Sequence, residues 1–346
     1  MRHKMRMAAL LAIKFLIILP LIVQAQDSSG LKKRTIQAGF ITPLSSNGLN
    51  SWKVTNKFSL NILAGYAGGV SGAEFSGLGS LLRGDMHGAQ FAGLGNIVLK
   101  ETKGAQFSGL FNIGIGNVQA GQFAGLLNIN IAETKGFMVA GFVNINAGTM
   151  DGTQLAGFVN FTTKLKGTQI GVFNYVDSLE HGVPIGVLSF VKNGYTTVEI
   201  GTTETLYGVA SFKTGVKQFY NILSVGGGTR NGLSLFAWGY GLGAFIPVGN
   251  KAGISIDGVC YQVNEGEWFT DQLNLLNKLA VNVSLKLSNH LAIFGGISWN
   301  VAVADITDEY GDQVLSHIAP WSVFNETYND YLNVKMYPGF SAGIRL

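Results

Sequence analysis

The residues best suited to chemistry in this chain are a glycine run and four scattered histidines. Gly239-Tyr240-Gly241-Leu242-Gly243 has the spacing of a dinucleotide-binding loop, but it lies within an alternating strand pattern and no helix pattern follows it. We therefore predict structural glycines in a strand. The histidines after residue 25 lie near predicted turns or loops, which favours solvated side chains over a metal site. They are His87, His181, His290 and His317.

One predicted connection in the C-terminal region is acidic. It contains Asp305, Asp308, Glu309 and Asp312. Hard oxygen ligands at this density could hold Ca²⁺, but the spacing of an EF-hand is absent. We favour a solvated loop.

The same region is rich in aromatic residues, which allow two interpretations. They are Trp321, Phe324, Tyr328, Tyr331 and Tyr337, with Trp268 and Phe269 in a neighbouring connection. Such rings can stack on a glycan or a protein partner. A belt at the level of lipid headgroups is the favoured interpretation.

The sequence contains none of the short catalytic or metal-binding motifs with a known mechanism. A phosphate loop, a paired-Cys zinc motif, a His-Glu-x-x-His helix and a Gly-x-Ser-x-Gly elbow are all missing. We assign no catalytic, cofactor-binding or metal-binding residue, and we predict no enzyme activity and no cofactor.

The first 25 residues have the pattern of a signal peptide. Arg2, Lys4 and Arg6 precede an apolar run over 15–23, and small residues follow for cleavage. Cleavage would remove four basic residues, these three and Lys14, so that 24 − 4 = 20 basic residues face 20 acidic ones. We therefore expect an exported, nearly neutral mature chain with no nucleic-acid partner.

The composition indicates strands with an apolar environment. Charged residues make up 13% of the chain, and no stretch after residue 25 approaches the ~20 apolar residues of a spanning helix. Low charge together with 48 Gly and 22 Phe is typical of strands that face lipid with alternate residues. The single Cys260 excludes an internal disulfide.

A sixteen-residue repeat runs from about residue 72 to 176 and slips to fourteen at Gly171 and Asn174. It repeats one glycine and one asparagine, at Gly77, Gly93, Gly109, Gly125, Gly141 and Gly157 and at Asn96, Asn112, Asn128, Asn144 and Asn160. Within each repeat, Phe, Leu and Ile alternate with Gln, Asn and small residues, so an apolar face opposes an amide face.

Each repeat has about eleven strand residues and about five turn residues, which is the length of one tilted membrane-crossing strand. We therefore favour an up-and-down barrel with apolar side chains toward lipid. The alternative is a β-solenoid with one coil per repeat and stacked amide ladders. A coil of two strands needs a second tight corner, and the run Phe-Ala-Gly-Leu-Leu-Asn-Ile offers only its Gly for it.

The region after residue 218 lacks the repeat but alternates more clearly. Val281, Val283, Leu285 and Leu287, for example, alternate with polar or small residues. The predicted connections alternate between long (304–333 and 264–277) and short (288–289 and 247–250), as in bacterial barrels. The last strand, ending at Leu346, resembles the C-terminal signature that barrel-assembly machinery recognises.

The repeated Gly-Ala-Gln-Phe-Ala-Gly-Leu-Gly-Asn-Ile motif, first at 88–97, resembles the bacterial surface-repeat-containing proteins. The resemblance covers most of the mature chain. This uncharacterised envelope family implies a location and a repeat architecture but supplies no site residues.

We therefore predict an all-β chain that forms an antiparallel transmembrane β-barrel of roughly sixteen strands, with the repeats as successive strands. The expected segments are a signal peptide (1–25), a lead-in (26–57), a repeat region (58–217) and C-terminal barrel strands (218–346). The alternative fold is a solenoid segment joined to a smaller barrel.

The expected location is the bacterial outer membrane, and the expected role is structural, adhesive or passive transport. The alternative role is a surface-exposed β-repeat binding module that a C-terminal barrel anchors. Expected partners are outer-membrane lipid, the barrel-assembly machinery and a surface ligand or glycan.

Overall fold

The computed structural model describes residues 30–306, 316–329 and 331–346. The predicted signal peptide and three residues of the acidic connection, Asp308, Glu309 and Asp312, lie outside these ranges. The described part is all-β apart from one short 3₁₀ helix. Its residues include no helix that is long and apolar enough to cross a membrane. The chain forms two compact units that divide between Ala132 and Glu133.

The first unit contains eleven strands and the 3₁₀ helix Gly48–Lys53. The strands are β1 (Lys32–Ile41), β2 (Leu44–Ser45), β3 (Val54–Ala67), β4 (Gly69–Ser76), β5 (Gly79–Leu82), β6 (Met86–Ala92), β7 (Gly95–Val98), β8 (Thr102–Ser108), β9 (Phe111–Gly114), β10 (Val118–Ala124) and β11 (Leu127–Asn130).

The repeats of the first unit form a parallel β-solenoid. β4, β6, β8 and β10 pair in parallel as one row, and β5, β7, β9 and β11 pair in parallel as a second row. The partners are equivalent residues of successive repeats, such as Gln106 and Gln122 or Asn112 and Asn128. Each sixteen-residue repeat is therefore one coil of two strands and two corners.

The favoured prediction, in which the repeats supply antiparallel barrel strands, is wrong. The second tight corner of each coil is at the repeated glycine, the one residue that the sequence offers for it. A Cβ on Gly93 would lie 2.0 Å from the carbonyl oxygen of Gly77, and one on Gly109 would lie 2.1 Å from that of Gly93. Only glycine lets the coils stack this closely here. The alternative fold, with a solenoid segment, fits the structure better.

The second unit begins with further parallel coils. Its first strands are β12 (Thr134–Ala140), β13 (Val143–Ala156), β14 (Val159–Ile170), β15 (Phe173–Ile185) and β16 (Leu188–Val191), which pair in parallel in this order. The shortened period at Asn174 is real, because Asn160 pairs with Asn174, fourteen residues later. Buried Met138, Met150 and Leu165 form the interior of these coils.

An antiparallel sheet follows in the same unit. It contains β17 (Tyr195–Thr203), β18 (Gly208–Val216), β19 (Phe219–Arg230), β20 (Leu233–Val248), β21 (Ala252–Glu265), β22 (Leu273–Lys286), β23 (Ala292–Asp305), β24 (Phe324–Tyr328) and β25 (Leu332–Arg345). Each strand from β17 to β22 pairs with the next, and β23 pairs with β25.

The antiparallel sheet closes on itself. β17 also pairs with β25, with Ile200 opposite Ile344 and Thr203 opposite Ser341. Eight strands complete the circuit. β24 is not one of them: it pairs with residues 332–336 of β25, whereas β17 pairs with residues 341–345. We call this part the closed sheet. Eight strands in one circuit, and not sixteen, is the number that leaves an interior which side chains can fill.

The alternation predicted for the C-terminal region is confirmed. β20, β22 and β23 cover the predicted apolar runs, and the connections are short at 249–251 and 287–291 but longer at 266–272. The glycine run 239–243 lies within β20, as expected for structural glycines.

Candidate functional surfaces

Buried amide columns fill the solenoid interior of the first unit. The Gln106 amide donates to Gln90 Oε1 at 2.8 Å, and Gln122 donates to Gln106 Oε1 at 2.7 Å. A second column runs from Asn96 through Asn112 to Asn128 at 2.9 and 3.0 Å. All six side chains are fully buried. Gln106 and Asn112 each donate to one neighbouring coil and accept from the other, so the columns satisfy groups that would otherwise be costly to bury. Asn96 Oδ1, at the end of its column, has no hydrogen-bond partner among the described residues.

A carboxyl group ends the glutamine column of the first unit. Glu74 is fully buried and accepts hydrogen bonds from Gln90 at 2.9 Å, Ser80 at 2.5 Å and Asn61 at 3.0 Å. Burial raises the pKa of Glu74 above its ordinary value, although these hydrogen bonds lower it in part.

The coils of the second unit repeat the arrangement. Asn144 donates to Asn160 and Asn160 donates to Asn174, both at 3.0 Å, while Gln169 donates to Gln154 at 2.7 Å. Amides thus point inward in both units, as the alternation predicts.

Each coil has one apolar and one polar edge, at its two corners. In the first unit the apolar edge consists of Phe75, Phe91, Phe107 and Phe123 with Leu78, Leu94, Leu110 and Leu126. These phenylalanines stack at 4.9–5.0 Å, and the leucines are 43–46% exposed. The polar edge lies at the other corner and includes Asp85, His87, Glu101, Lys103 and Gln119.

The coils of the second unit also have an apolar and a polar edge. Their apolar edge consists of Phe142, Phe158, Phe173 and Val187 with Leu155, Ile170 and Ile185, all exposed. Their polar edge carries the ion pairs Lys135–Glu133 at 3.4 Å, Lys166–Glu180 at 2.9 Å and Lys192–Asp177 at 2.6 Å. Such exposed pairs add little stability.

The outer wall of the closed sheet is apolar. Along β22, exposed Leu279, Val281, Val283 and Leu285 alternate with buried Lys278, Ala280, Asn282 and Ser284. Other strands add exposed Val225, Trp238, Ile256, Ile297, Trp299 and Phe340. A water-soluble sheet would place such apolar side chains inward and polar ones outward. Part of the interior is apolar too, because Leu235, Val263 and Leu276 are buried in one cluster there.

Paired charges occupy the interior of the closed sheet. Lys213 Nζ lies 2.7 Å from Glu199 Oε2 and 2.9 Å from Asp257 Oδ2. Arg345 Nε donates to Glu199 Oε1 at 2.7 Å, and Tyr220 donates to Asp257 Oδ1 at 2.6 Å. Two cations thus oppose two carboxylates, and all four are buried.

A second ion pair lies further along the interior. Lys278 Nζ contacts both oxygens of Glu204, at 3.0 and 2.9 Å, and also Ser298 Oγ at 2.7 Å. Asn300 and the backbone amide of Phe340 donate to the same carboxylate. Glu204 is therefore neutralised and fully hydrogen-bonded.

The glycines of β20 make room for this interior. A Cβ on Gly243 would lie 2.3 Å from Asp257 Oδ1, and one on Gly239 would lie 2.6 Å from the Tyr261 ring. The residues that suggested a dinucleotide loop are therefore small because ordered side chains lie against them.

The described histidines form no metal site. His317 is half-buried and not freely solvated as predicted, since its Nδ1 lies 3.2 Å from Glu265 Oε2 and its backbone amide donates to the same carboxylate. His87 lies 3.5 Å from Glu101. Among the described residues, no three His, Cys, Asp or Glu side chains form a group that could hold a metal ion.

The predicted aromatic belt is divided. Trp268 stacks on Phe236 at 4.2 Å, and Trp321 donates its indole N–H to the Pro338 carbonyl, and both rings stay exposed. Tyr337 is fully buried and hydrogen-bonds Thr205 at 2.9 Å inside the closed sheet, so its assignment to an exposed belt is wrong.

Sequence reasoning missed the interior charges. Glu199, Lys213, Asp257 and Lys278 are far apart in the chain, so no local spacing marks them as partners. One signal was available, because Lys278 and Asp257 each occupy the inward phase of an alternating strand.

Comparison with protein-family models, with curated proteins and with solved structures finds no match to this chain. The resemblance to surface-repeat-containing envelope proteins therefore stays a prediction. Independently of it, the chain is an all-β protein of stacked solenoid repeats followed by a separate antiparallel sheet.

Proposed function

We propose that this protein is a bacterial outer-membrane protein that crosses the membrane with its closed sheet and presents its repeats as a binding module. The observation that carries the proposal is the inverted closed sheet, with exposed Val281 and Val283 outside and paired Lys278 and Glu204 inside. Hydrocarbon is the solvent in which this arrangement is stable, because closure leaves no unpaired strand edge along the circuit.

Passive transport is not part of the proposal. An eight-stranded circuit is narrow enough for side chains to fill most of it. Lys213, Glu199, Asp257 and Tyr261 line the interior and leave a cavity of about 60 Å³. The role is therefore anchoring rather than conduction, and we propose no catalysis.

The polar edge is the surface that we assign to binding. Stacked coils offer a long regular surface on which side chains recur at the coil spacing of ~4.8 Å. His87, Lys103 and Gln119 lie on this edge in successive coils and are exposed. A polymer with its own repeat, such as a glycan, is the class of ligand that such a surface suits.

Exposed rings at the far end of the closed sheet offer a second surface for a glycan. Trp268, Phe269 and Trp321 are 70%, 76% and 47% exposed there. Flat aromatic faces of this kind can stack on sugar rings. The last strand also keeps Phe340, Ile344 and Leu346 exposed, which fits recognition by the barrel-assembly machinery.

Strand direction indicates which side of the membrane holds the coils. The coils lead directly into the start of β17, and Glu199 near that start pairs with Arg345 near the chain end. The connections at this end are all short, at 217–218, 249–251 and 287–291. The opposite end has the short 204–207 and 231–232, but also 266–272 and the long stretch 306–331 that contains β24. Short turns of bacterial barrels face the periplasm, so we place the repeats there.

Membrane fractionation with a heat-modifiability gel tests the anchoring. The full chain should sediment with the outer membrane and should migrate differently before and after boiling, because a closed sheet resists detergent until heated. A soluble monomer in detergent-free buffer would refute the proposal.

Labelling with a membrane-impermeant maleimide tests on which side of the outer membrane the repeats lie. In a Cys260→Ser background, Lys103→Cys should react only after the outer membrane is permeabilised, whereas Trp268→Cys should react in intact cells. Labelling of Lys103→Cys in intact cells would place the repeats on the cell surface instead.

A further inference from the structure

The apolar edge of the coils contains no charged residue. Its eight runs are 75–81, 91–97, 107–113, 123–129, 139–145, 155–161, 170–175 and 185–190, and none includes Asp, Glu, Lys, Arg or His. Phe142, Phe158 and Val187 are nevertheless 48%, 38% and 53% exposed. Within each unit, an apolar surface of this kind marks an interaction site.

The distribution of polarity makes each unit amphipathic across its coils. In the second unit, Asp151, Lys166 and Glu180 lie at the corner away from Phe158 and Phe173. Amphipathic helices with charge on one side and exposed Phe or Leu on the other bind in the membrane interface, with the apolar side at the boundary between headgroups and acyl chains. A stack of coils with the same division of surface is suited to that interface for the same physical reason.

Within the second unit, the apolar edge meets the outer wall of the closed sheet. Asn221 donates to the carbonyl of Gly186, a residue of this edge, at 2.7 Å, and to Tyr240 Oη at 2.9 Å. Tyr220 and Ile222 on either side of Asn221 are buried, and the next outward residue, Leu223, is exposed. Asn221 and Tyr240 therefore belong to the outer side of the sheet, so that the two apolar surfaces are continuous at this junction.

We infer that the apolar edge of each unit's coils rests on the lipid leaflet, in the second unit next to the closed sheet, so that the protein contacts its membrane along its repeats as well as through its anchor. This inference rests on the proposed function. Lipid is the favoured occupant over a protein, because protein interfaces carry about one hydrogen bond per 100–200 Å². The amides, such as Asn160 and Asn174, point inward, so the hydroxyls of half-buried residues such as Ser108 and Tyr175 are the few side-chain donors that this edge offers.

Site-specific fluorescence in vesicles tests the inference. The full chain with Cys260→Ser, in vesicles of phosphatidylethanolamine and phosphatidylglycerol, receives one environment-sensitive probe. The sites are Phe158→Cys on the apolar edge, Asp151→Cys on the polar edge of the same unit and Val281→Cys on the outer wall of the closed sheet. Leu110→Cys and Lys103→Cys form the matching pair in the first unit.

Nitroxide-labelled lipid should quench Phe158→Cys and Leu110→Cys as strongly as Val281→Cys, while both polar-edge probes keep their fluorescence. If Val281→Cys is quenched but the two apolar-edge probes behave like the polar-edge ones, the inference is overturned and the anchor stands. If apolar-edge probes are shielded from lipid and from aqueous iodide alike, a protein covers the edge and the inference is again wrong. If Val281→Cys itself is not quenched, the anchor fails, and the inference fails with it.

Discussion

Gln106 shows how one polar side chain holds neighbouring coils together. It donates to Gln90 and accepts from Gln122, and it has no exposed surface. Because a buried amide without a partner costs free energy, the column fixes the register of the coils.

Replacing this residue should weaken the coils on both sides. Gln106→Leu leaves Gln90 Oε1 without its donor and the Gln122 amide without its acceptor, so we expect a loss of about 1–3 kcal/mol. Hydrogen exchange of the peptide covering 102–114 should accelerate in the full chain. Gln119→Leu, on the exposed side of β10, is the control and should change little. Unchanged exchange in Gln106→Leu would contradict a structural role for the column.

Glu74 should make the first coil sensitive to pH. Burial raises its pKa above the ordinary 4.5, so the folded chain holds a proton that the unfolded chain has already released. Local stability is therefore full below about 4.5 and falls as the pH rises through the raised pKa.

Glu74→Gln removes the titrating group and extends the glutamine column by one residue. We expect exchange of the peptide 70–82 to accelerate with rising pH, beyond its intrinsic rate, in the natural chain but not in the variant. Equal pH dependence in both would show that Glu74 ionises in the fold as it does in water.

The orientation of the amides could be read from the sequence, but the pairing of charges could not. Period-two alternation places Gln106 and Asn112 on the opposite side from Phe107, and this holds in the structure. Glu204 meets Lys278 across 74 residues, and such a contact depends on strand order and registers that the sequence does not display.

At the scale of the elements, the corner glycines decide how closely coils approach. A Cβ on Gly109 would lie 2.1 Å from the carbonyl oxygen of Gly93. A Cβ on Gly79 would lie 3.4 Å from the carbonyl oxygen of Gly95, which is an ordinary contact. Gly109→Ala should therefore cost about 1–3 kcal/mol of coil stability through overpacking. Gly79→Ala is the matched change and should be nearly neutral. Hydrogen exchange of peptides from the coils, measured at increasing urea concentration, gives the unfolding midpoint of each variant. Equal midpoints for Gly109→Ala and Gly79→Ala would contradict the close stacking at Gly109.

The buried pair in the closed sheet should be more sensitive than any surface pair. Lys278→Met leaves the Glu204 carboxylate without its cation in a dry interior, which typically costs about 3–5 kcal/mol. We expect a lower temperature for the heat-modifiable transition. The double variant with Glu204→Gln should recover most of the loss, since it removes both charges. A double variant no better than the single one would show that packing, not charge, is responsible.

Alternation predicts strands but not their direction, and this limit explains the error over the repeats. An even period of sixteen places equivalent residues on one face in an antiparallel barrel and in a parallel coil alike. The need for glycine at position 93 distinguishes the parallel coil from the barrel strand. This need comes from a clash between a Cβ on Gly93 and the neighbouring coil, which exists only once the coils are stacked. In the C-terminal region no such ambiguity arose, because short connections force consecutive strands to be antiparallel.

At the scale of the whole molecule, a filled closed sheet should not conduct ions. Lys213 contacts both Glu199 and Asp257, and Arg345 pairs with Glu199. An eight-stranded circuit is narrow enough for such side chains to fill most of it. The refolded full chain should stay silent in planar-bilayer recordings. Stable single-channel steps would contradict the anchoring role.

Oxidative cross-linking can test both features on which the proposed role depends, the parallel stacking of the coils and the closure of the antiparallel sheet. In the full chain with Cys260→Ser, Lys103→Cys with Gln119→Cys probes adjacent coils, and Ile200→Cys with Ile344→Cys probes the seam, because each pair is in register. Both pairs should form intramolecular disulfides in cells, because the two residues of each pair lie opposite each other on neighbouring strands. If the first pair fails while the seam pair closes, the repeats do not stack as parallel coils. If the seam pair fails, the sheet is open and the anchor is lost.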